Sequence, residues 1–229
     1  MKSFIKKNKF VYKFLYTLRD FVRIIYNQKR RSRFFWNLRN GDEKLSLDYN
    51  FTDKSVVFDV GTYIGSFTEK LLNKFDCHVY AFEPKKEYFN KLLNKFEKNK
   101  KVKIYNFALS NFTGASQISD IGAGSSIIER EENTLFETID VMSFAEFVES
   151  ENIKKIDLLY LNIEGSEYDL IQNILDNNLQ ERIHHFQIQF HNFVKNSKSK
   201  RKTLRKSLKK THKCTFNFPF IWERWDLIE

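Results

Sequence analysis

Residues that bend a chain are scarce in this one of 229 residues: it has 7 glycines and 2 prolines, and every glycine lies at or after Gly41. Collagen-like and low-complexity classes are thereby excluded, and each glycine marks a particular bend. Cysteine is as rare. Cys77 and Cys214 stand alone and far apart, which excludes a disulfide framework and a cysteine-rich zinc site. That usage suits a reducing compartment, so the expected localisation is cytoplasmic, with peripheral contact at the inner face of a membrane as an open addition. Apolar runs of the roughly 18–20 residues that span a bilayer are missing. The N-terminus carries lysines throughout and lacks the uninterrupted apolar core of a secretory signal.

Acids are almost missing from two segments. Residues 1–40 hold 12 Lys/Arg against one acid, Asp20, and residues 195–213 hold 10 Lys/Arg against none. Residues 41–194 carry 16 basic and 25 acidic side chains, so the body is acidic although the whole chain has a net charge of +10. Such a body argues against nucleic acid as a partner.

What is present suffices for a real core, because 41% of the residues are hydrophobic and 16% aromatic. Two units are expected: a basic helical extension over 1–44 and one domain over 45–229. Val11, Phe14, Leu15, Leu18, Phe21, Val22 and Ile25 recur at helical spacing between lysines and arginines, and a basic cluster follows from Lys29 to Arg33. A basic amphipathic helix of this kind either packs on the domain or a partner subunit, or lies on an anionic membrane surface.

The domain is organised around VVFDVGTYIG at 56–65. A short apolar run ends in Asp59, glycines follow at Gly61 and Gly65, and Phe67, Leu71, Leu72 and Phe75 then repeat at helical spacing. This predicts a strand, a tight turn and a helix whose free N–H groups face a ligand. Strand and helix patterns then alternate: strands at 77–82, 102–108, 156–163 and 183–190, helices at 85–98, 165–177 and 198–210. Residues 115–141 read as irregular with short extended pieces, 142–148 as a short helix, and 214–228 as two closing strands. The pattern predicts an α/β fold: a Rossmann-like, mostly parallel seven-stranded sheet with an antiparallel edge strand and helices on both faces.

In such sheets ligands bind beyond the carboxyl ends of the strands. The polar residues of interest fall there: Asp59 and Gly61; Glu83, 18 residues after Gly65; Asn106; Asn162 and Glu164; Gln189 and His191. An acid at the position of Glu83 can accept hydrogen bonds from both ribose hydroxyls of a nucleoside. The turn lacks the second close-approach glycine of a dinucleotide site, and Asp59 would repel phosphates while suiting a cation. These features favour S-adenosylmethionine over a nicotinamide cofactor.

The chain resembles the FkbM-type S-adenosylmethionine-dependent methyltransferases over residues 56–190, through VFDVGTYIGSFT (57–68), VYAFEP (79–84), NFALSNFTG (106–114), GSSI (124–127) and LNIEGSEYDLI (161–171). The resemblance implies a class I methyltransferase sheet and O-methylation, commonly of a hydroxyl on a sugar in a surface polysaccharide, a lipid-linked glycan or a nucleotide-sugar. A small secondary metabolite is the alternative acceptor. The cofactor residues expected are Asp59, Gly61, Thr62, Tyr63, Gly65, Ser66, Glu83, Pro84 and Asn162, with Asn106, Ala108 and Leu109 near the adenine. Glu164 is expected to orient or deprotonate the acceptor. His191 is a second base candidate because its ordinary pKa is near neutrality. Glu167 is either a third catalytic group or a first-turn acid favourable to its helix. Two positions depart from the family: Asn162 stands where Asp is usual, and Gln189 where Glu is common. Fewer carboxylates make a divalent metal less expected, and none is assigned. The same departures leave open a catalytically weakened cofactor-binding protein.

Overall fold

The computed structural model describes residues 25–119 and 136–228. The apolar positions at 11–22 and the GSSI segment at 124–127 lie outside these residues. In chain order the main elements are α1 (Gln28–Leu38), β1 (Val56–Val60), α2 (Ser66–Lys74), β2 (His78–Phe82), α3 (Lys86–Phe96) and β3 (Val102–Tyr105). Next come β4 (Ala108–Ser110), β5 (Gly114–Ser119), β6 (Phe136–Ser143), α4 (Phe144–Ser150) and β7 (Ile156–Leu161). The chain ends with α5 (Glu167–Asp176), β8 (Ile183–Ile188), α6 (Ser197–Leu208), β9 (His212–Phe218) and β10 (Trp222–Leu227).

Seven strands form the main sheet in the order β3-β2-β1-β7-β8-β10-β9. The first five run parallel, and β10 joins antiparallel to both β8 and β9. The expected α/β architecture is therefore the one found. The order reverses between β1 and β7, which opens a crevice at their carboxyl ends.

Because β1 is covered on both faces, it is apolar on both apart from Asp59, rather than alternating. Val57 packs on one side with Leu71 of α2, Leu158, Tyr160 and Trp222. Phe58 and Val60 pack on the other with Phe147 of α4, Ile171 and Ile174 of α5, and Leu204 and Leu208 of α6. Each of these fully buried aliphatic side chains contributes about 1.5–3 kcal/mol relative to exposure. Trp36 of α1 is fully buried in the first cluster against Phe218 and Trp222, and so joins residues 28–44 to the domain core.

A second sheet, β4-β6-β5, was not expected from the sequence. Residues 115–141 read as largely irregular, yet β5 and β6 pair antiparallel from Gly114↔Val141 to Ser119↔Phe136. Only Ile139 and Val141 of β6 point into its small core, with Ala108 and Ile118, and acids at Glu137 and Asp140 weaken the strand pattern. The expected strand over 102–108 splits at Asn106, because β4 leaves the main sheet to pair with β6. The Lys-rich helix α6 is anchored to the sheet by two of its arginines. Its Arg201 and Arg205, one turn apart, both pair with Glu223, a buried carboxylate that also accepts from the Trp225 indole at 3.2 Å. The aromatic run FPFIWERW at 218–225 packs into the core, where Phe220, Ile221, Trp222 and Trp225 are all buried.

Candidate functional site

The crevice is shaped first by backbone. Gly61 follows β1 at φ +85°, and a Cβ there would lie 2.3 Å from the Asn162 carbonyl oxygen. The glycine thus admits the end of β7 as well as a left-handed turn. Gly65 caps α2 at φ +76°, where a Cβ would strike Leu92 and Phe96 of α3. Between them Tyr63 also adopts a left-handed conformation, with φ 54°. Thr62 turns its hydroxyl inward to the Asp59 carbonyl at 2.7 Å, locking the turn.

Around this turn run two cavities. The first is lined by Gly61, Tyr63, Glu83, Pro84, Leu109 and Glu164, among others. The second passes Asp59, Thr62, Ser66, Phe67, Tyr160 and Asn162 on the opposite side of the turn. Gly61, Tyr63 and Asn162 belong to both, so the cavities meet across the turn. The side-chain oxygen of Asn162 is buried there without a hydrogen-bond partner. A buried acceptor in that state costs free energy until a donor reaches it.

Two buried carboxylates face the crevice. Asp59 accepts from the Thr68 hydroxyl at 2.6 Å. Glu83 accepts from the backbone N–H groups of Tyr63 at 2.8 Å and Lys85 at 3.0 Å, which ties β2 to the glycine turn. Burial pushes Asp59 up to about 7, against the opposing pull of Thr68. Burial likewise pushes Glu83 up to about 7, against the two amides. Both acids are poised for a cationic or hydrogen-bond-donating ligand. Asn106 does not line the cavity. Its amide donates to the carbonyls of Glu83 at 3.0 Å and Pro84 at 2.9 Å and holds the end of β2 in place. Ala108 and Leu109 do form part of the wall.

A raised carboxylate has a consequence for stability. The folded chain keeps the Asp59 proton between its unfolded value of 3.8 and about 7, where the unfolded chain has released it. Stability therefore falls as pH rises through that window. Asp59→Asn is expected to make the ligand-free protein more stable by about 1–3 kcal/mol at pH 8, with the gain fading toward pH 4. Urea unfolding at the two pH values measures this, and an equal effect at both would refute the assignment.

Beyond β7 the chain makes a sharp bend through Glu164 at φ 48° and Gly165 at φ 109° before α5 begins. Glu164 lines the first cavity and lies 3.4 Å from His191 Nε2. Glu167 is fully buried behind His191, 3.3 Å from its Nδ1. It also accepts from the backbone N–H of His191 at 2.6 Å and of Gly165 at 2.8 Å. Glu167 thus clamps the loop after β8 to the start of α5, and it does not reach the cavity. The Tyr168 hydroxyl adds a bond to the His191 carbonyl at 2.8 Å. Burial alone would lower the His191 pKa, but Glu164 and Glu167 outweigh it and hold the ring up at about 9. At neutral pH the imidazole is a cation that donates to Glu164, so it is not the proton acceptor its ordinary pKa suggested. Gln189 places its amide 3.3 Å from His191 Nε2.

Lys85, Tyr88, Ile118 and Ser166 also line the first cavity and were not singled out from sequence. Tyr88 lies one turn after the Glu83–Pro84 pair, with its ring 4.4 Å from that of Tyr63, and that spacing was a usable signal. Ile118 had none, because the second sheet brings it there. Among the described residues no cluster of three or more His, Cys, Asp or Glu could hold a metal.

A reversed-order sheet with a glycine turn and paired acids at its switch point defines the Rossmann-like methyltransferase class. Residues 59–218 match the Methyltransferase FkbM domain, and the chain belongs to that family. Its fold is similar to that of the FkbM methyltransferase from Methylobacillus flagellatus KT (TM-score 0.52, 12% identity), over 79% of this chain and 45% of that one. The chain therefore spans less than half the length of that enzyme. It is also similar to a putative rRNA methylase from Clostridium thermocellum (TM-score 0.53, 10% identity), over 84% of this chain and 96% of that one. No curated protein matches.

Proposed function

We propose that the chain is an S-adenosylmethionine-dependent O-methyltransferase whose acceptor is a hydroxyl of a saccharide. The observation that carries the cofactor reading is the pair of buried acids, Asp59 and Glu83, set on either side of the glycine turn with the partnerless Asn162 oxygen between the two cavities. The fit is chemical. The sulfonium and ammonium groups offset the charge of the acids, each oxygen of Glu83 keeps a lone pair for a ribose hydroxyl, and Asn162 awaits a donor. Leu109, Ala108 and Ile118 supply the apolar wall an adenine needs.

When bound, S-adenosylmethionine supplies a methyl group activated by a positively charged sulfur. The protein's task is to place a hydroxyl in line with that group and to take its proton. Glu164 is the residue positioned for the proton, at the cavity wall. His191, held protonated between two acids, keeps Glu164 ionised and aimed. Support for a ring-shaped acceptor comes from Phe193, an exposed aromatic 5.4 Å from the His191 ring, because aromatic faces pack on the apolar faces of sugars. Family membership supports a hydroxyl rather than an amine.

The test has two arms. Calorimetry with S-adenosylhomocysteine and with NADH is expected to show binding of the first alone. Transfer of tritiated methyl to a panel of nucleotide-sugars, lipid-linked glycans and secondary-metabolite alcohols is expected to label a saccharide. No binding of S-adenosylhomocysteine would end the cofactor assignment. Binding without transfer to any saccharide would leave the acceptor assignment refuted.

A further inference from the structure

We infer that α1 is a membrane-docking helix whose outward face seats on a bilayer rich in anionic phospholipid, at the end of the molecule where the crevice opens. This inference does not depend on the identity of the acceptor.

The two faces of α1 differ. Ser32 and Trp36, four residues apart, are buried and fix the helix to the domain. On the outer side Phe34 and Leu38 remain 48% and 70% exposed, while Phe35, 46% exposed, sits at the flank beside β9. A helix that only covered its own domain would turn polar side chains to water. Here the exposed apolar side chains are interleaved with Arg30, Arg31 and Arg33, all exposed. Apolar side chains flanked by arginines match an interface of acyl chains below and phosphates above. The charge is complementary as well: residues 1–40 carry 12 Lys/Arg and one acid, while residues 41–194 are net acidic. The second basic run, residues 195–213, lacks this pairing of chemistries, because the apolar Leu204 and Leu208 of α6 are buried, so α1 presents both charge and apolar contact. Among the described residues no helix is long and apolar enough to cross a membrane, so the contact would be peripheral.

The position of α1 gives the docking a use. Trp36 packs on Phe218 and Trp222, the pair that closes the β9–β10 hairpin. The next residue, Glu223, pairs with Ile188 at the carboxyl end of β8. The Trp36 indole donates to Asp42 at 2.9 Å, and Asp42 lines the second cavity beside Asp59. The helix therefore borders the crevice end of the sheet, where a lipid-anchored acceptor could be reached from the surface.

The experiment is co-sedimentation of the full chain with vesicles of phosphatidylcholine, with and without phosphatidylglycerol. Partition is expected with the anionic vesicles only. The double variant Phe34→Ser, Leu38→Ser should reduce it at least about tenfold without moving the thermal midpoint, and Arg30→Glu, Arg33→Glu should reduce it comparably. Absence of partition for the unaltered chain would overturn the inference, as would equal binding to neutral vesicles. A double serine variant that still binds as well as the parent would also refute it, since charge alone, with RNA as an equal competitor, would then explain the attraction. Sedimentation velocity shows whether the face instead joins two copies: a concentration-dependent dimer lost in the serine variant would overturn docking.

Discussion

Glu164→Gln is expected to lower kcat for methyl transfer by about 10²–10⁴-fold while leaving the affinity for S-adenosylhomocysteine within about twofold of the parent. The substitution keeps the size of the side chain and an oxygen for the His191 donor, but removes the group that can hold a proton. Cofactor affinity should survive because the acids around the glycine turn, Asp59 and Glu83, are untouched. A loss confined to KM would instead assign Glu164 to acceptor binding. Activity above about one tenth of the parent value would remove it as the base. The pH profile carries further information. His191 is held up at about 9 by Glu164 and Glu167, so its deprotonation withdraws the cation that faces Glu164. The parent enzyme should therefore lose activity on the alkaline side near that value.

The difference between what local pattern reveals and what packing adds is visible within this site. The turn from Val56 to Gly65 was readable because strand, glycine and helix are contiguous, and each choice obeys a local rule. Glu83 was readable because its spacing from that turn reflects one strand–helix–strand repeat. Asn162, Glu164 and His191 were placed at strand ends by the same alternation. The roles of the acids were not readable. Glu164 in the bend after β7 and Glu167 at the start of α5 are three residues apart, yet one lines a cavity and the other is fully buried behind a histidine from the loop after β8. Only the pairing of β7 with β8 decides which is which. The His191 pKa moved for the same reason: two acids from another element surround it.

The second sheet shows the other limit. β6 offers only Ile139 and Val141 to a core, and its acids suit the solvent face it presents. Without its partner β5, separated by residues 120–135, the segment carries no strand pattern strong enough to stand out. Yet this sheet supplies Ile118 to the cavity wall and sets Ala108 and Leu109 in place. Trp36 and Glu223 teach the same lesson. A tryptophan in a basic helix and an acid between two tryptophans carry no local signal of their burial, yet long-range packing buries both.

Glu83→Ala should weaken S-adenosylhomocysteine binding about 100- to 1,000-fold, the largest effect on affinity of any single change at the site. A hydrogen bond to a charged group contributes about 1.5–3 kcal/mol, and a carboxylate that receives two ribose hydroxyls loses both when truncated. The loss is compounded by two backbone donors, the N–H groups of Tyr63 and Lys85, which now bond to Glu83 and would be left unsatisfied. Because burial holds Glu83 up at about 7, the ligand-free protein carries a largely protonated Glu83 below that pH. Protonation turns one oxygen from acceptor to donor, so the affinity of the parent protein should fall as pH drops from 8 to 6. In the alanine variant that slope should flatten, because the titrating group is gone. Glu83→Gln separates charge from shape: it retains one acceptor oxygen but sets an amide N–H₂ against a backbone donor, and should fall between the two. Calorimetric titration at pH 6, 7 and 8 reads all three. An alanine variant within about threefold of the parent would show that the ribose is held elsewhere. A parent affinity that does not change with pH would show that Glu83 is already ionised when the ligand arrives.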